Sequence, residues 1–263
     1  MYDFSYQKPA SLAEAAKALG AEDAKALAGG MTLIPVLKQR LNKPSTVVDL
    51  SGLGLAGITV SGNTVTIGAM TTHATVAASA EVRAKIPALA DLAGGIGDIQ
   101  VRHRGTIGGS LANNDPAACD PSAVLGLGAT VKTNKRSIAA DDFFQGMFTT
   151  ALEADEIITA VEFPVPEKAG YEKFRNPASR YAIVGAFVAK FPAGVRVAIT
   201  GAGQNGVFRH TAAEAALAGN FSEAALANVS HGADGLNSDI HASAEYRAHL
   251  IGVTTKRAVA KAR

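Results

Sequence analysis

The strongest constraint on this chain is the run HRGTIGGSLANNDPAACDP at residues 103–121, where small residues, Asp and Asn side chains and two prolines crowd together. Gly105, Gly108 and Gly109 lack a Cβ, so the backbone there can take positive φ and approach another group closely. The run therefore predicts either an elaborate turn or a loop on which a ligand lies.

A second glycine pair, Gly29 and Gly30, stands where a strand becomes a helix. The strand is AKALA at residues 24–28, and leucines at helical spacing follow the glycines. Free N–H groups at such a junction suit an anion such as a phosphate. The alternative is a tight turn with Thr32 as N-cap, and the pattern leaves both interpretations open.

The stretch TIGGSLANND at residues 106–115 offers further groups that bind anions. These are the backbone N–H groups of Gly108 and Gly109, the hydroxyls of Thr106 and Ser110, and the amides of Asn113 and Asn114. Two such loops together are suited to the two phosphates of one pyrophosphate. The rest of a dinucleotide would then lie between the domains.

Two other glycine motifs match GxGxxG but lack the context of a dinucleotide-binding fold. GLGLAG at residues 52–57 leads into a strand, and GAGQNG at residues 201–206 is separated from the next helix. The motif requires a helix directly after the turn. The sequence therefore argues against a Rossmann domain.

Composition narrows the classes of function. The chain has 263 residues, of which 48% are hydrophobic, and a net charge of +2 without long basic runs. This fits one large or two modest domains and does not indicate a nucleic-acid partner. No secretory leader or apolar run of membrane-spanning length is visible, so we expect a cytoplasmic chain with no membrane span.

Cysteine and histidine usage limits redox and metal chemistry. Cys119 is the only cysteine, which excludes an internal disulfide or an iron-sulfur cluster built from this chain alone. The six histidines show no metal-binding spacing, and no GxSxG elbow or carboxylate pair is present. We therefore expect no metal site and no catalytic side chain, and any redox chemistry must come from a cofactor.

Two single residues attract attention. His73 is a candidate general base or flavin attachment point, but a hydrogen-bonded structural histidine at a helix start is the interpretation we favour. Cys119 lies beside the glycine-rich run, and we assign it no role because lone cysteines usually act as small buried hydrophobes.

The order of strands and helices predicts an α+β chain with two domains. Pro164 and Pro166 end the strand EIITAVEFPV, which places a boundary there. We expect an N-terminal domain at 1–165, with subdomains at about 1–53 and 54–165. Residues 166–263 are predicted to form antiparallel strands followed by helices, including FSEAALANV and a long C-terminal helix.

Several motifs, in order, resemble one protein family. They are AGGMTLIPVLKQRL, VVDLSGL, IGAMTTHATVAAS, VRHRGTIGGSLANNDPAACDPSAVLGLGATV, EIITAVEFP and SAEYRAHLIGVTTKRAV. Together they resemble the FAD-binding medium subunits of molybdenum hydroxylases, of the carbon monoxide dehydrogenase medium chain type within the xanthine dehydrogenase family. The resemblance implies a two-part FAD-binding domain of the vanillyl-alcohol oxidase type, followed by a C-terminal domain of antiparallel sheet and helices.

The resemblance also implies a set of FAD-binding residues. The loop of Ala28, Gly29, Gly30, Met31, Thr32 and Leu33 and the loop of Thr106, Ile107, Gly108, Gly109 and Ser110, with Asn114 and Asp115 after it, would bind the pyrophosphate. Asp120 would bind the ribose or adenine end, Ile157 the flavin or adenine, and Lys173 and Tyr181 would reach the cofactor from the C-terminal domain. Met31 and Arg180 differ from the residues common at these positions in relatives. At Met31 the difference removes a side-chain contact with the cofactor, whereas the backbone N–H is unaffected.

The implied function is electron transfer within a larger enzyme. A large subunit with a molybdenum-pterin cofactor would oxidise the substrate, and a small subunit with two two-iron two-sulfur clusters would carry electrons to FAD in this chain. A dimer of heterotrimers is implied, with quinone, NAD or oxygen as acceptor and CO, a purine, an aldehyde or an N-heterocycle as substrate. The alternatives are a free-standing FAD-dependent oxidase of the same fold and a non-catalytic nucleotide-binding scaffold.

Overall fold

The computed structural model describes residues 1–263. Its N-terminal part is a small parallel sheet with strand order β1-β3-β2. The elements are β1 (Ser5–Gln7), α1 (Leu12–Leu19), β2 (Ala24–Leu27), α2 (Leu33–Lys38) and β3 (Thr46–Asp49). Ser11 caps α1 by accepting a hydrogen bond from the Glu14 N–H, as the SxxE pattern indicates.

An antiparallel five-stranded sheet follows, with strand order β4-β5-β10-β6-β7. Its strands are β4 (Ile58–Ser61), β5 (Thr64–Gly68), β6 (Thr130–Thr133), β7 (Ser137–Ala139) and β10 (Ile158–Pro164), and β8 (Phe144–Gly146) with β9 (Thr149–Thr150) forms a separate hairpin. Because β10 returns from the end of this region to the sheet centre, it closes the region against β5 and β6.

Short helices between β5 and β6 cover this sheet. They are α3 (His73–Ala78), α4 (Ala80–Lys85), α5 (Pro87–Gly94), α6 (Ile99–Arg104), α7 (Ile107–Asn113) and α8 (Asp120–Gly126), and α9 (Ala140–Phe143) lies before the hairpin. Pro87 begins α5, because proline is tolerated in the first turn of a helix but not in the middle of a longer one. The run 103–121 therefore spans the end of α6, the whole of α7 and the start of α8.

The C-terminal part is an antiparallel sheet with strand order β11-β12-β13-β14. Its elements are β11 (Lys168–Arg175), β12 (Ala182–Phe191), β13 (Gly194–Thr200), β14 (Phe208–Arg209), α10 (Thr211–Gly219) and α11 (Ala244–Lys261). The expected helix over FSEAALANV is wrong. Only a single 3₁₀ turn forms, at Glu223–Leu226, with Ser222 capping it.

The two parts share their largest apolar core. Side chains of the five-stranded sheet and its helices pack with Phe187, Ala189 and Ala198 from the C-terminal sheet. Gly126 lies so close to Phe187 that an added Cβ would come within 2.9 Å of the Phe187 ring. The fold is thus a two-domain arrangement of helices and mainly antiparallel sheets, and none of its helices is both long and apolar enough to cross a membrane.

Candidate functional site

The loop between β2 and α2 carries an uninterrupted series of free backbone donors. None of the six N–H groups from Ala28 to Leu33 donates a hydrogen bond within the chain. Gly30 has φ of +76°, which turns the chain sharply before α2. Thr32 makes no side-chain capping bond, so the alternative interpretation of this loop as a simple capped turn is not supported.

The two predicted loops are in direct contact. A Cβ added to Gly29 would lie 2.0 Å from the carbonyl oxygen of Arg104, and one added to Gly109 would lie 3.4 Å from Cβ of Ala28. A Cβ on Gly108 would lie 2.6 Å from Cβ of Ala69. Gly29 and Gly108 are therefore required for the chain to pack against itself, in addition to any approach of a ligand.

The second loop offers fewer free donors than the sequence indicated. The N–H of Gly108 donates to the Ala69 carbonyl at 2.9 Å, and the N–H of Gly109 donates to the Thr106 hydroxyl oxygen at 3.2 Å. Ile107 is likewise bonded to Thr71. The expectation of free N–H groups at Gly108 and Gly109 is wrong, because Thr106 caps α7 and the segment that follows β5 accepts from the remaining donors. The hydroxyl of Ser110 makes no hydrogen bond and lies on the same turn.

Asn114 and Asp115 end α7 and serve the local structure. Asn114 is buried in the left-handed region with φ of 43°, and its Nδ2 donates to the carbonyl oxygens of Gly146 and Thr149. Asp115 accepts a hydrogen bond from the Ala117 N–H at 2.8 Å. Asn114 therefore attaches the β8–β9 hairpin to the end of α7.

Asp120 and His73 form a buried pair beneath the second loop. Oδ2 of Asp120 lies 3.6 Å from Nδ1 of His73, both side chains are almost fully buried, and neither makes a hydrogen bond. The backbone N–H of His73 donates to the Gly105 carbonyl. The backbone of His73 therefore has a structural role. Its side chain lacks the hydrogen bond that we expected from the sequence.

Ile157 is less available than expected. Its N–H is not free to donate to a ligand because it already donates to Oδ1 of Asn134 at 2.8 Å, and its carbonyl accepts from the Asn134 N–H at 3.0 Å. Its side chain is buried in the small core around α1 and β3. Only an apolar contact from this residue remains possible.

Lys173 occupies a buried position between the two domains. Its Nζ donates to the carbonyl oxygen of Gly95 at 2.8 Å and to Sγ of Cys119 at 3.3 Å. Burial, with smaller contributions from Cys119 and Asp120, raises the pKa of the neighbouring Tyr171 well above its ordinary value. Sequence reasoning missed the part played by Cys119, because only the fold shows that this thiol faces a lysine from the other domain.

Tyr181 follows β11 and remains half exposed. Burial of its inner part raises its pKa, and the charges of Asp115 and then Cys119 add to the rise. Tyr181 therefore lies near the C-terminal end of α7, on the side of Lys173. The structure thus gathers two groups of predicted residues, one at each end of α7. Asp120 directly follows Cys119, the contact of Lys173, and its carboxylate faces His73, whereas Ile157 lies apart in the small core around α1 and β3.

Comparisons with known proteins agree with this architecture. Residues 2–166 match the family model described as the FAD binding domain in molybdopterin dehydrogenase, and residues 169–262 match the CO dehydrogenase flavoprotein C-terminal domain. The chain is 35% identical to the carbon monoxide dehydrogenase medium chain of Afipia carboxidovorans, over 99% of this chain and 96% of the relative. It is 38% identical to the nicotine 6-hydroxylase medium subunit of Paenarthrobacter nicotinovorans, over 98% and 96%.

Solved structures give the same result. A chain of reconstituted CO dehydrogenase from Oligotropha carboxidovorans superposes with a TM-score of 0.89 at 34% identity, covering 99% of this chain and 97% of that one. A chain of quinoline 2-oxidoreductase from Pseudomonas putida 86 gives 0.87 at 31% identity, covering 98% and 96%. These matches favour an oxidoreductase subunit over a free-standing oxidase or a scaffold. The chain belongs to the family of FAD-binding medium subunits of molybdenum hydroxylases.

Proposed function

We propose that the loop from Ala28 to Leu33 holds the pyrophosphate of FAD through its free N–H groups. The support is the absence of any intrachain partner for all six donors, which an anion with several acceptor oxygens would satisfy. The hydroxyl of Ser110, on the loop packed against this one, is placed to add a further donor. This donor set fits a diphosphate, so the residues present suit the cofactor of the family.

We propose that the second group, at the other end of α7, serves the remainder of the cofactor. The seven residues of α7 span about 10 Å, so an extended ligand that begins at the two loops can follow the helix toward Lys173 and Tyr181. Lys173 would position an acceptor atom, and the half-exposed ring of Tyr181 would cover an aromatic face. Asp120, whose carboxylate makes no hydrogen bond in the chain, would accept one from the ribose or adenine end, and Ile157 would add an apolar contact to the flavin or adenine.

When bound, FAD supplies the exchange between single electrons and electron pairs. This chain's part is to bind and orient the cofactor and to limit access of water at the domain junction. We propose the division into domains at 1–165 and 166–263, with subdomains at about 1–53 and 54–165, because each part has its own sheet.

The finer assignments complete this proposal. We propose a dimer of heterotrimers in the cytoplasm, with a small iron-sulfur subunit as electron donor and quinone, NAD or oxygen as acceptor. Substrate specificity would lie in the large molybdenum subunit. Relatives are named for CO and nicotine, which differ in chemistry while sharing this type of medium subunit.

A matched pair of variants at Met31 tests the site. The side chain of Met31 is partly exposed, so Met31→Glu and Met31→Gln are both accommodated, and only the first places a negative charge beside the N–H groups. The repulsion between a unit negative charge and a phosphate a few ångströms away is about 1 kcal/mol in water and about 4 kcal/mol at a partly shielded protein surface. We expect Met31→Glu to weaken FAD binding about tenfold or more. Met31→Gln should stay within about twofold of the native chain, because it adds no charge.

Flavin fluorescence titration of the apo chain measures this difference. Equal affinities for Met31→Glu and Met31→Gln would show that the pyrophosphate does not lie on this loop. Unchanged urea unfolding of both apo variants separates loss of the site from loss of the fold.

A further inference from the structure

Strand β11 forms an open edge of the C-terminal sheet. It pairs only with β12, and β12 continues to β13. Ala169 turns its N–H and carbonyl outward, where both are bonded to the backbone of Arg263 at 3.2 Å. Backbone groups alternate along a strand, so Tyr171 and Lys173 also turn theirs outward. Neither residue makes a backbone hydrogen bond outside the ladder, so these four polar groups have no partner in the chain.

These unpaired groups line a trough rather than an open surface. A cavity of about 550 Å³ follows the edge between α5 and α11. Lys173 is only 8% exposed at this edge. Backbone donors and acceptors at such a partly covered edge are usually paired in native proteins, and an unpaired strand edge invites another strand.

Arg263 covers this edge at Ala169 alone. Ala169 and Arg263 exchange both hydrogen bonds with each other, which is the pattern of an antiparallel pair. This pair leaves the edge uncovered from Tyr171 onward. Ala262 ends α11 as its C-cap, and the residues up to Lys261 belong to the helix.

The charge of the trough indicates the chemistry of its occupant. Its charged lining consists of four cationic side chains, Lys173, Arg175, Lys261 and Arg263, and two carboxylates, Asp91 and Glu172. The Tyr171 phenol is the remaining ionisable group. Asp91 is paired with Arg263, and Glu172 is paired with Lys261. The guanidinium group of Arg175 has no carboxylate partner and makes no hydrogen bond in the chain. The trough thus keeps an excess of positive charge, which suits an incoming carboxylate.

We propose that an extended acidic segment of another subunit of the molybdenum hydroxylase complex adds to β11 as a strand. Its backbone pairs with Tyr171 and Lys173, and one of its carboxylates pairs with Arg175. Main-chain hydrogen bonds at a sheet edge supply affinity, and the flanking charge supplies specificity. The inference rests on the membership of this chain in a multi-subunit complex, and it assigns the contact surface on the medium subunit.

Hydrogen-deuterium exchange of the FAD-loaded chain, alone and in the purified complex, tests the strand addition. We expect the amides of Tyr171 and Lys173 to exchange rapidly in the isolated chain and to be protected in the complex. Unchanged exchange at both amides on assembly would overturn the proposal. Protection that instead appears in the isolated chain as its concentration rises would also overturn it, because a second copy would then be the occupant.

Two charge reversals on the same strand test the acidic contact. Arg175→Glu should weaken assembly about tenfold or more, whereas Lys168→Glu, which lies outside the trough, should change it less than about twofold. Equal loss in both variants, or none in Arg175→Glu, contradicts the carboxylate contact. If Arg175→Glu fails to retain FAD or to fold, Arg175→Gln is used in its place. The hydrogen-deuterium exchange of Tyr171 and Lys173 then decides whether the strand is added. FAD retention is read separately, so a wrong cofactor site and a wrong docking edge give different results.

Discussion

Nζ of Lys173 lies 3.3 Å from Sγ of Cys119 and also donates to the carbonyl oxygen of Gly95 at 2.8 Å. Lys173 belongs to the C-terminal sheet, whereas Gly95 follows α5 and Cys119 precedes α8 in the N-terminal region. One buried ammonium therefore joins the two domains at the site where we place the inner part of the cofactor.

We expect Lys173→Met to lower the free energy of unfolding by about 2 kcal/mol or more. The methionine fills the space but leaves the Gly95 carbonyl without a donor, and hydrogen bonds to a charged group are worth about 1.5 to 3 kcal/mol each. Cys119→Ser is the matched control, because the lysine keeps both contacts and the loss stays below about 1 kcal/mol. Urea unfolding of the apo chain measures both, and equal stability of Lys173→Met and the native chain would show that the contact is not stabilising.

Asn114→Asp should destabilise the chain by about 3 kcal/mol. The substitution keeps the shape of the side chain but removes both hydrogen bonds that Nδ2 donates. The new buried carboxylate would then lie against the carbonyl oxygens of Gly146 and Thr149, which repel it. Asn113→Asp makes the same change at the preceding residue, which forms no side-chain hydrogen bond, and should cost less than about 1 kcal/mol. Thermal unfolding compares the two, and similar losses would show that the attachment of the hairpin to α7 is unimportant.

Local patterns predicted much of the fold. The Ser11 cap, the hairpin at Gly62 and Asn63, and the strand ended by Pro164 all appear where their side-chain chemistry indicates. The 3₁₀ turn at 223–226 replaces an expected helix, because few of its residues bury against the sheet and intrinsic propensity alone does not sustain a helix.

The contact between the two candidate loops was predictable in part for a similar reason. Gly29 and Gly109 could be recognised as a pair of close-approaching loops because a missing Cβ is visible in the sequence. The occupied N–H of Gly108 and the contact of Cys119 with Lys173 depend on residues 39 and 54 positions away, at Ala69 and Lys173. Such pairings follow from the packing of whole elements, which no local pattern encodes.

Acid stability should depend on Glu156. Its side chain is fully buried and accepts two hydrogen bonds from Arg136, which chiefly lower its pKa from 4.5 to about 2. The folded state therefore binds this proton more weakly than the unfolded state. The resulting stability is complete above about pH 4.5 and is lost as the pH falls toward 2.

Arg136 is partly exposed, so screening limits this contribution to about 1 to 2 kcal/mol. We expect Glu156→Gln to be less stable at pH 7 and to show a shallower loss between pH 4.5 and 2 than the native chain. Urea unfolding at several pH values gives both slopes. Parallel slopes would mean that another carboxyl group controls the acid response.

Gly29→Ala should both destabilise the chain and weaken FAD binding. The new Cβ would meet the Arg104 carbonyl oxygen at 2.0 Å, and since that atom is backbone, the two loops must separate. Overpacking of this kind costs about 1 to 3 kcal/mol. Gly252→Ala is the control, because nothing lies within 4 Å of the added Cβ in α11, and a mid-helix alanine should stabilise by about 0.5 to 1 kcal/mol.

Unfolding and flavin titration of these two variants separate stability from cofactor binding. Gly252→Ala should bind FAD with native affinity, whereas Gly29→Ala should bind more weakly even at temperatures where it is fully folded, because its displaced loop no longer presents the six free N–H groups in their native arrangement. If Gly29→Ala loses stability but binds FAD like Gly252→Ala, the contact between the loops serves the fold alone, and the free donors of residues 28–33 are not the pyrophosphate site.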